Sequence, residues 1–125
     1  MRFSTLLAVA GILGVLFGLA FLLAPSFGLR QYGVTTDAAG IFLTRFFGAA
    51  LLQLGLVFLT IRSLPESSIS RVALAACLGE LAGLWVAVRL QLSGGINAMG
   101  WSSVAIYGVL ALAFASFALR KPRPA

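Results

Sequence analysis

Four long apolar segments, separated by short polar stretches, dominate the pattern of hydrophobic and polar positions along this chain. The segments are residues 5–23, 38–61, 69–92 and 98–119. Each exceeds the run of about 18 apolar residues that indicates a transmembrane helix, and helices satisfy their backbone hydrogen bonds within lipid. Short linkers favour antiparallel neighbours. The pattern therefore predicts an all-α integral membrane protein, a single domain over residues 1–125 built as an antiparallel bundle of four transmembrane helices.

Helix-breaking and capping residues mark the ends of these segments. Pro25 closes the first segment, and Asp37 is placed to cap the second. The stretches "RSLPESS", "SGG" and "RKPRP" end the second, third and fourth. We expect the first segment to be a permanent helix rather than a cleaved signal peptide, because it exceeds a signal core of roughly 7–15 residues and lacks an A-x-A-like site.

The distribution of cations predicts the topology. Hydrophobic residues make up 61% of the chain and charged residues 10%, with a net charge of +6. The basic residues flank apolar spans instead of lining one soluble face, which argues against nucleic-acid binding. The cations expected on one side are Arg2, Arg62, Arg71, Arg120, Lys121 and Arg123. Arg30 falls on the other side, with Arg89 near that end of its helix. The positive-inside rule then places both termini in the cytoplasm. In a bacterium this means the inner (plasma) membrane, and an organelle membrane stays open.

The chain lacks the residues that several kinds of catalytic and metal site require. The chain has no histidine and one cysteine, and its three acidic residues are Asp37, Glu66 and Glu80. Histidine-based metal or haem sites, a disulfide and a paired-carboxylate site are therefore not expected. We predict no metal and no cofactor. The composition favours a protein without catalytic activity and leaves an enzyme open.

The stretch "CLGELAGLW", residues 77–85, carries the one acid that lies deep in an apolar span, Glu80. At 1.5 Å per residue, Glu80 lies about 18 Å from the outer end of its helix and Arg45 roughly 10 Å from the start of its own. Tyr107 lies about 14 Å down by the same count. Intramembrane charges usually face the bundle interior and pair with each other. The sequence thus predicts a polar cluster of Arg45, Glu80 and Tyr107, which the deeper Gln53 extends.

This cluster has three interpretations. Arg45 and Glu80 could form a structural ion pair, line a ligand pocket, or belong to a proton or ion pathway. The function that the sequence favours is that of a small accessory protein binding an apolar ligand such as a lipid or quinone. A membrane enzyme acting on a lipid or quinone and a small oligomeric transporter are the alternatives.

Small residues recur along every predicted helix. On the third, Ala75, Gly79, Gly83 and Ala87 are spaced every four residues. The other sets are Gly11, Gly14 and Gly18; Gly48 and Gly55; and Ala111 and Ala115. Small residues let membrane helices approach closely. Gly48, Gly79 and Gly83 are therefore expected to pack helices together, either within the bundle or in a homodimer or larger membrane complex.

The segment from Leu22 to Leu59 resembles the first half of small four-helix bacterial membrane proteins. The matching elements are Pro25, Tyr32, Gly33, Asp37, Gly40, Arg45, Gly48 and Ala49. The Arg-x-x-Gly helix is also similar to one in DoxX-like proteins. The resemblance implies a four-helix bundle and a loose association with quinone or sulfur redox systems. It carries no catalytic residue over to this chain.

Overall fold

The computed structural model describes residues 1–121, which are helical apart from short connections. These residues form five helices: α1 (Phe3–Leu23), α2 (Pro25–Gln31), α3 (Ala38–Thr60), α4 (Glu66–Leu92) and α5 (Gly100–Ala118). Of these, α1, α3, α4 and α5 are long and apolar enough to cross a membrane. The predicted all-α fold with four membrane spans is confirmed. Arg123 and the two prolines of the tail lie outside the described residues.

The helix bounds agree with the sequence where a local signal sets them. Asp37 caps α3 as predicted, because its side chain accepts a hydrogen bond of 3.0 Å from the backbone nitrogen of Gly40. α4 begins at Glu66 rather than Ile69. Its first turn is polar and therefore invisible to an apolar pattern, and an acidic residue there suits the positive end of the helix dipole.

The stretch after α1 is partly helical, although the apolar pattern does not predict a helix there. Pro25 ends α1 as predicted but also starts α2, since a residue without an N–H fits the first position of a helix. Gly33 ends α2 with φ 70°, in the left-handed region that favours glycine. The backbone nitrogens of Gly33 and Val34 donate to the carbonyls of Arg30 and Leu29, forming a Schellman motif.

The chain divides into two compact units. The α1–α3 unit comprises residues 7–62, and α1 and α3 cross in it antiparallel through their glycines. A Cβ built on Gly55 would lie 2.6 Å from the backbone nitrogen of Val15, and one on Gly14 would lie 2.9 Å from the Cα of Gly55. No side chain larger than hydrogen fits there, so the two backbones touch directly.

The α4–α5 unit comprises residues 1–6 and 63–121. Its two long helices run antiparallel, since Cys77 contacts Ala111 and Gly83, further along α4, faces the earlier Tyr107. Near its middle, the Sγ of Cys77 lies 3.5 Å from the carbonyl oxygen of Ala111, to which the thiol donates. Phe3, at the start of α1, packs its ring against Phe114 and Phe117 near the end of α5. The two ends of the described chain therefore lie at the same end of this unit.

Candidate functional site

Glu80 is buried, with 9% of its surface exposed, in the middle of the apolar helix α4. It belongs to a row of buried residues on one face of that helix. The row is Ala73, Cys77, Glu80 and Ala87, and we call it the Glu80 row. A carboxylate in such a position is costly unless another group or ligand stabilises it, so an ionisable residue within a span marks a candidate functional site.

The spacing of the Glu80 row explains why it differs from the predicted small-residue row. Its steps of four, three and seven residues follow the seven-residue repeat that keeps side chains facing one partner helix. A row with a step of four drifts about 40° around the helix at every step, since a turn holds 3.6 residues. The two rows share Ala87 and diverge toward the start of α4. Ala75 and Gly79, which belong only to the small-residue row, are exposed.

Two contacts between α4 and α5 lie on either side of Glu80. Three residues before it, Cys77 contacts the carbonyl of Ala111. Three residues after it, Gly83 faces the ring of Tyr107, because a Cβ on Gly83 would lie 2.5 Å from the Cδ1 of that ring. Positions three apart share a helix face. Glu80 therefore lies on the α4 face that packs against α5, about 4.5 Å along the axis from the level of the Tyr107 ring.

The three predicted packing glycines have different surroundings. A Cβ on Gly48 would lie 2.5 Å from the backbone nitrogen of Leu22 and 2.8 Å from the carbonyl oxygen of Gly18. Gly83 meets the Tyr107 ring, which is a side chain that can move. A Cβ on Gly79 would meet nothing within 4 Å. Within the described chain, Gly48 and Gly83 thus lie at close helix contacts and Gly79 does not.

The remaining predicted polar residues lie on α3. Arg45 and Gln53 are both exposed, whereas Tyr107 is half-buried. The contact of its ring with Gly83 brings Tyr107 to the α4 face that carries Glu80. Arg45 and Gln53 belong to the α1–α3 unit and Glu80 to the α4–α5 unit, so the pairing of Arg45 with Glu80 stays a prediction.

Gln91, in the last turn of α4, is a further polar residue that the sequence pattern does not predict to be structurally important. Its Nε2 donates to the carbonyl oxygen of Asn97 at 3.3 Å, tying the helix end to the α4–α5 loop. Its Oε1 is buried against Gly100 and has no hydrogen-bond partner among residues 1–121. The available signal was a glutamine two residues before "SGG" and a glycine, Gly100, at the start of the next helix. Gln91 positions the α4–α5 turn.

Residues 1–121 contain no group of three or more His, Cys, Asp or Glu side chains that could hold a metal ion. The α4 face that packs against α5 carries the Glu80 carboxyl group and, three residues further along α4, the contact of Gly83 with the Tyr107 ring. Carboxyl and phenol groups can accept hydrogen bonds from the polar end of an otherwise apolar molecule, and they can donate hydrogen bonds to it.

Comparison with known proteins adds no assignment. No protein-family model, curated protein or solved structure matches this chain. The resemblance to DoxX-like proteins therefore stays a prediction, and any function rests on the residues themselves.

Proposed function

We propose that this chain is a small accessory membrane protein that binds one apolar or amphiphilic molecule, a lipid or a quinone, beside Glu80 and Tyr107. The polar end of the ligand hydrogen-bonds to the Glu80 carboxyl group or to the Tyr107 hydroxyl group. The apolar remainder of the ligand lies against the helices, as the surrounding lipid does.

The burial of Glu80 carries this proposal. A polar group retained in an apolar span is expensive, and such groups usually mark binding sites or ion pathways. Ligand sites in membrane and soluble proteins alike are mostly apolar, with a few polar groups that fix the ligand's orientation. Glu80 on the α5-facing side of α4, next to an aromatic ring with a hydroxyl group, fits that description. A proton pathway would call for further titratable groups along the span, and the chain has no histidine.

The proposal includes a location. We place the protein in the inner membrane with both termini in the cytoplasm. The contact of Phe3 with Phe114 and Phe117 supports a common side for the two termini. The concentration of loop cations on that side supports the cytoplasm, by the positive-inside rule.

Bound-ligand analysis of the purified protein tests the binding function. The full chain is extracted in a mild detergent, and co-purifying lipids and quinones are quantified by mass spectrometry per mole of protein. We expect one amphiphile close to stoichiometric amounts in the wild type. Glu80→Gln should weaken the binding of this amphiphile about tenfold and so lower its occupancy, because one lost hydrogen bond costs on the order of 1.4 kcal/mol. Tyr107→Phe, which keeps the ring, should lower it less.

Glu66→Gln is the matched control. It makes the same change from acid to amide in the same helix, at an exposed position in the first turn. We expect it to leave occupancy unchanged. Size-exclusion chromatography and circular dichroism show whether each variant is folded. The proposal fails if the folded wild type carries no stoichiometric amphiphile, or if Glu80→Gln and Glu66→Gln retain it equally.

A further inference from the structure

Arg45 is an exposed cation inside a membrane span. It lies on α3, seven residues after Ala38, which places it about 10 Å along the helix from its start. Its neighbours Phe42 and Phe46 are exposed too, and their rings contact each other with centroids 4.7 Å apart. A permanent positive charge is thus surrounded by apolar surface of the kind that acyl chains cover.

The α1–α3 crossing shows at what level Arg45 lies. Gly48, one turn further along α3, is in contact with the backbone of Phe21 and Leu22. The two helices are antiparallel, so Arg45 lies at the level of the residues that follow Leu22. α1 ends at Leu23, and the chain bends there into α2. Arg45 therefore lies at the rim of the α1–α3 pair, where α1 no longer runs beside α3.

The charge of Arg45 limits what can bind there. The guanidinium group of Arg45 is positively charged, and a positive charge is costly within the hydrocarbon of a membrane. A long side chain at this depth can instead extend toward the headgroup level. Its planar guanidinium group can donate two parallel hydrogen bonds to one phosphate. A free phosphate ion would leave Phe42 and Phe46 without a partner, whereas a phospholipid supplies acyl chains as well.

We propose that Arg45 binds the phosphate of an anionic phospholipid, in the leaflet on the α2 side of the membrane, with its acyl chains against Phe42 and Phe46. This inference goes beyond the proposed function: it adds a headgroup site on α3, with a ligand of its own, to the site proposed on α4 and α5.

Lipid competition tests the proposal on the full chain. The protein is reconstituted in nanodiscs of phosphatidylcholine with increasing phosphatidylglycerol, and the lipid retained after detergent extraction is measured by native mass spectrometry. We expect the wild type to retain phosphatidylglycerol at least about tenfold over phosphatidylcholine, as one strong ionic contact allows. Arg45→Gln should abolish the preference, and Arg45→Lys should keep part of it, since a lysine retains the charge but not the fork of donors.

Arg30→Gln is the control. Arg30 is exposed in the last turn of α2, on the same side of the membrane but outside the long spans. Its removal lowers the net charge by the same amount and should leave the preference intact. If Arg30→Gln and Arg45→Gln lose the preference for phosphatidylglycerol equally, the preference reflects general electrostatic attraction between the protein and anionic lipid. That result would overturn the site at Arg45. Displacement of the phosphatidylglycerol by millimolar inorganic phosphate would also overturn it, because the occupant would then be a free anion.

The outcomes also separate this inference from the proposed function. A stoichiometric amphiphile that depends on Glu80 but shows no preference for phosphatidylglycerol overturns the Arg45 site and leaves the function standing. Retention of phosphatidylglycerol that depends on Arg45 but not on Glu80 supports the Arg45 site, and the proposed function then fails only if no second amphiphile depends on Glu80. Absence of any stoichiometric lipid or quinone overturns both. Because the comparison of two lipids needs only the wild type, misfolding of Arg45→Gln would not leave the proposal untested.

Discussion

The glycine contact between α1 and α3 permits a quantitative test in which one substitution is compared at two glycines. Gly48→Ala adds a methyl group that would lie 2.5 Å from the backbone nitrogen of Leu22 and 2.8 Å from the carbonyl oxygen of Gly18. Both atoms belong to the α1 backbone, so no side-chain rotation can make room. Gly79→Ala adds the same methyl group to α4, where nothing lies within 4 Å.

The matched pair cancels the effect of alanine on the helix itself. Replacing a mid-helix glycine by alanine favours the helix by roughly 0.5–1 kcal/mol at either position. Only Gly48→Ala must also separate two packed backbones, and overpacking of this kind costs about 1–3 kcal/mol. We therefore expect the free energy of unfolding of Gly48→Ala to lie about 1–3 kcal/mol below that of Gly79→Ala.

Unfolding in mixed micelles measures this difference. The protein is held in dodecyl maltoside, sodium dodecyl sulfate is added stepwise, and far-ultraviolet circular dichroism follows the transition. Gly55→Ala repeats the test, because its methyl group would lie 2.6 Å from the backbone nitrogen of Val15. Equal midpoints for Gly48→Ala and Gly79→Ala would refute the reasoning, since they would mean that α1 and α3 do not touch at Gly48.

Three further predictions concern the other helix contact, the charged residues and the topology. Gly83→Leu should lower the melting temperature in detergent more than Gly83→Ala, because the larger side chain displaces the Tyr107 ring completely; equal and negligible effects would place Gly83 against lipid. Pairing of Arg45 with Glu80, which the sequence predicts, would compete with the phospholipid for Arg45: if the pair forms, Arg45→Gln and Glu80→Gln should each destabilise by up to about 3–5 kcal/mol and their double replacement should recover part of the loss, whereas additive losses would contradict the pairing and leave the phospholipid as the partner of Arg45. With Cys77 replaced, a cysteine at position 97 should react with an impermeant thiol reagent in intact cells and one in the C-terminal tail should not; labelling of the tail would contradict the topology.

Helix ends were predictable from the sequence where a single residue determines them. The Asp37 cap follows from a side chain and a backbone nitrogen three residues apart, and both stand in the sequence. α2 rests on signals that were equally visible, a proline at a helix start and a glycine after its end. It was missed because its seven residues are too few for an apolar period to stand out, and loops between spans are expected to be irregular.

The candidate site was predictable only in its composition. Glu80 stands out because an acid within an apolar run is expensive, and that cost depends on the chain and the lipid alone. Which face of α4 packs is a different matter. A row with a step of four contains more small residues, yet the face of α4 that packs is the one that carries Glu80, and Gly79 is left exposed.

The sequence by itself determined the number of membrane spans and the residue types available for chemistry. Lipid cannot satisfy backbone hydrogen bonds, so long apolar runs must become helices whatever their neighbours. The tertiary structure alone decided which helix faces meet. Lipid solvates small and large apolar side chains about equally well, so hydrophobicity does not select the face that packs. Only the shape of a neighbouring helix distinguishes a glycine that must accommodate a backbone, such as Gly48, from one that meets no other part of the described chain, such as Gly79.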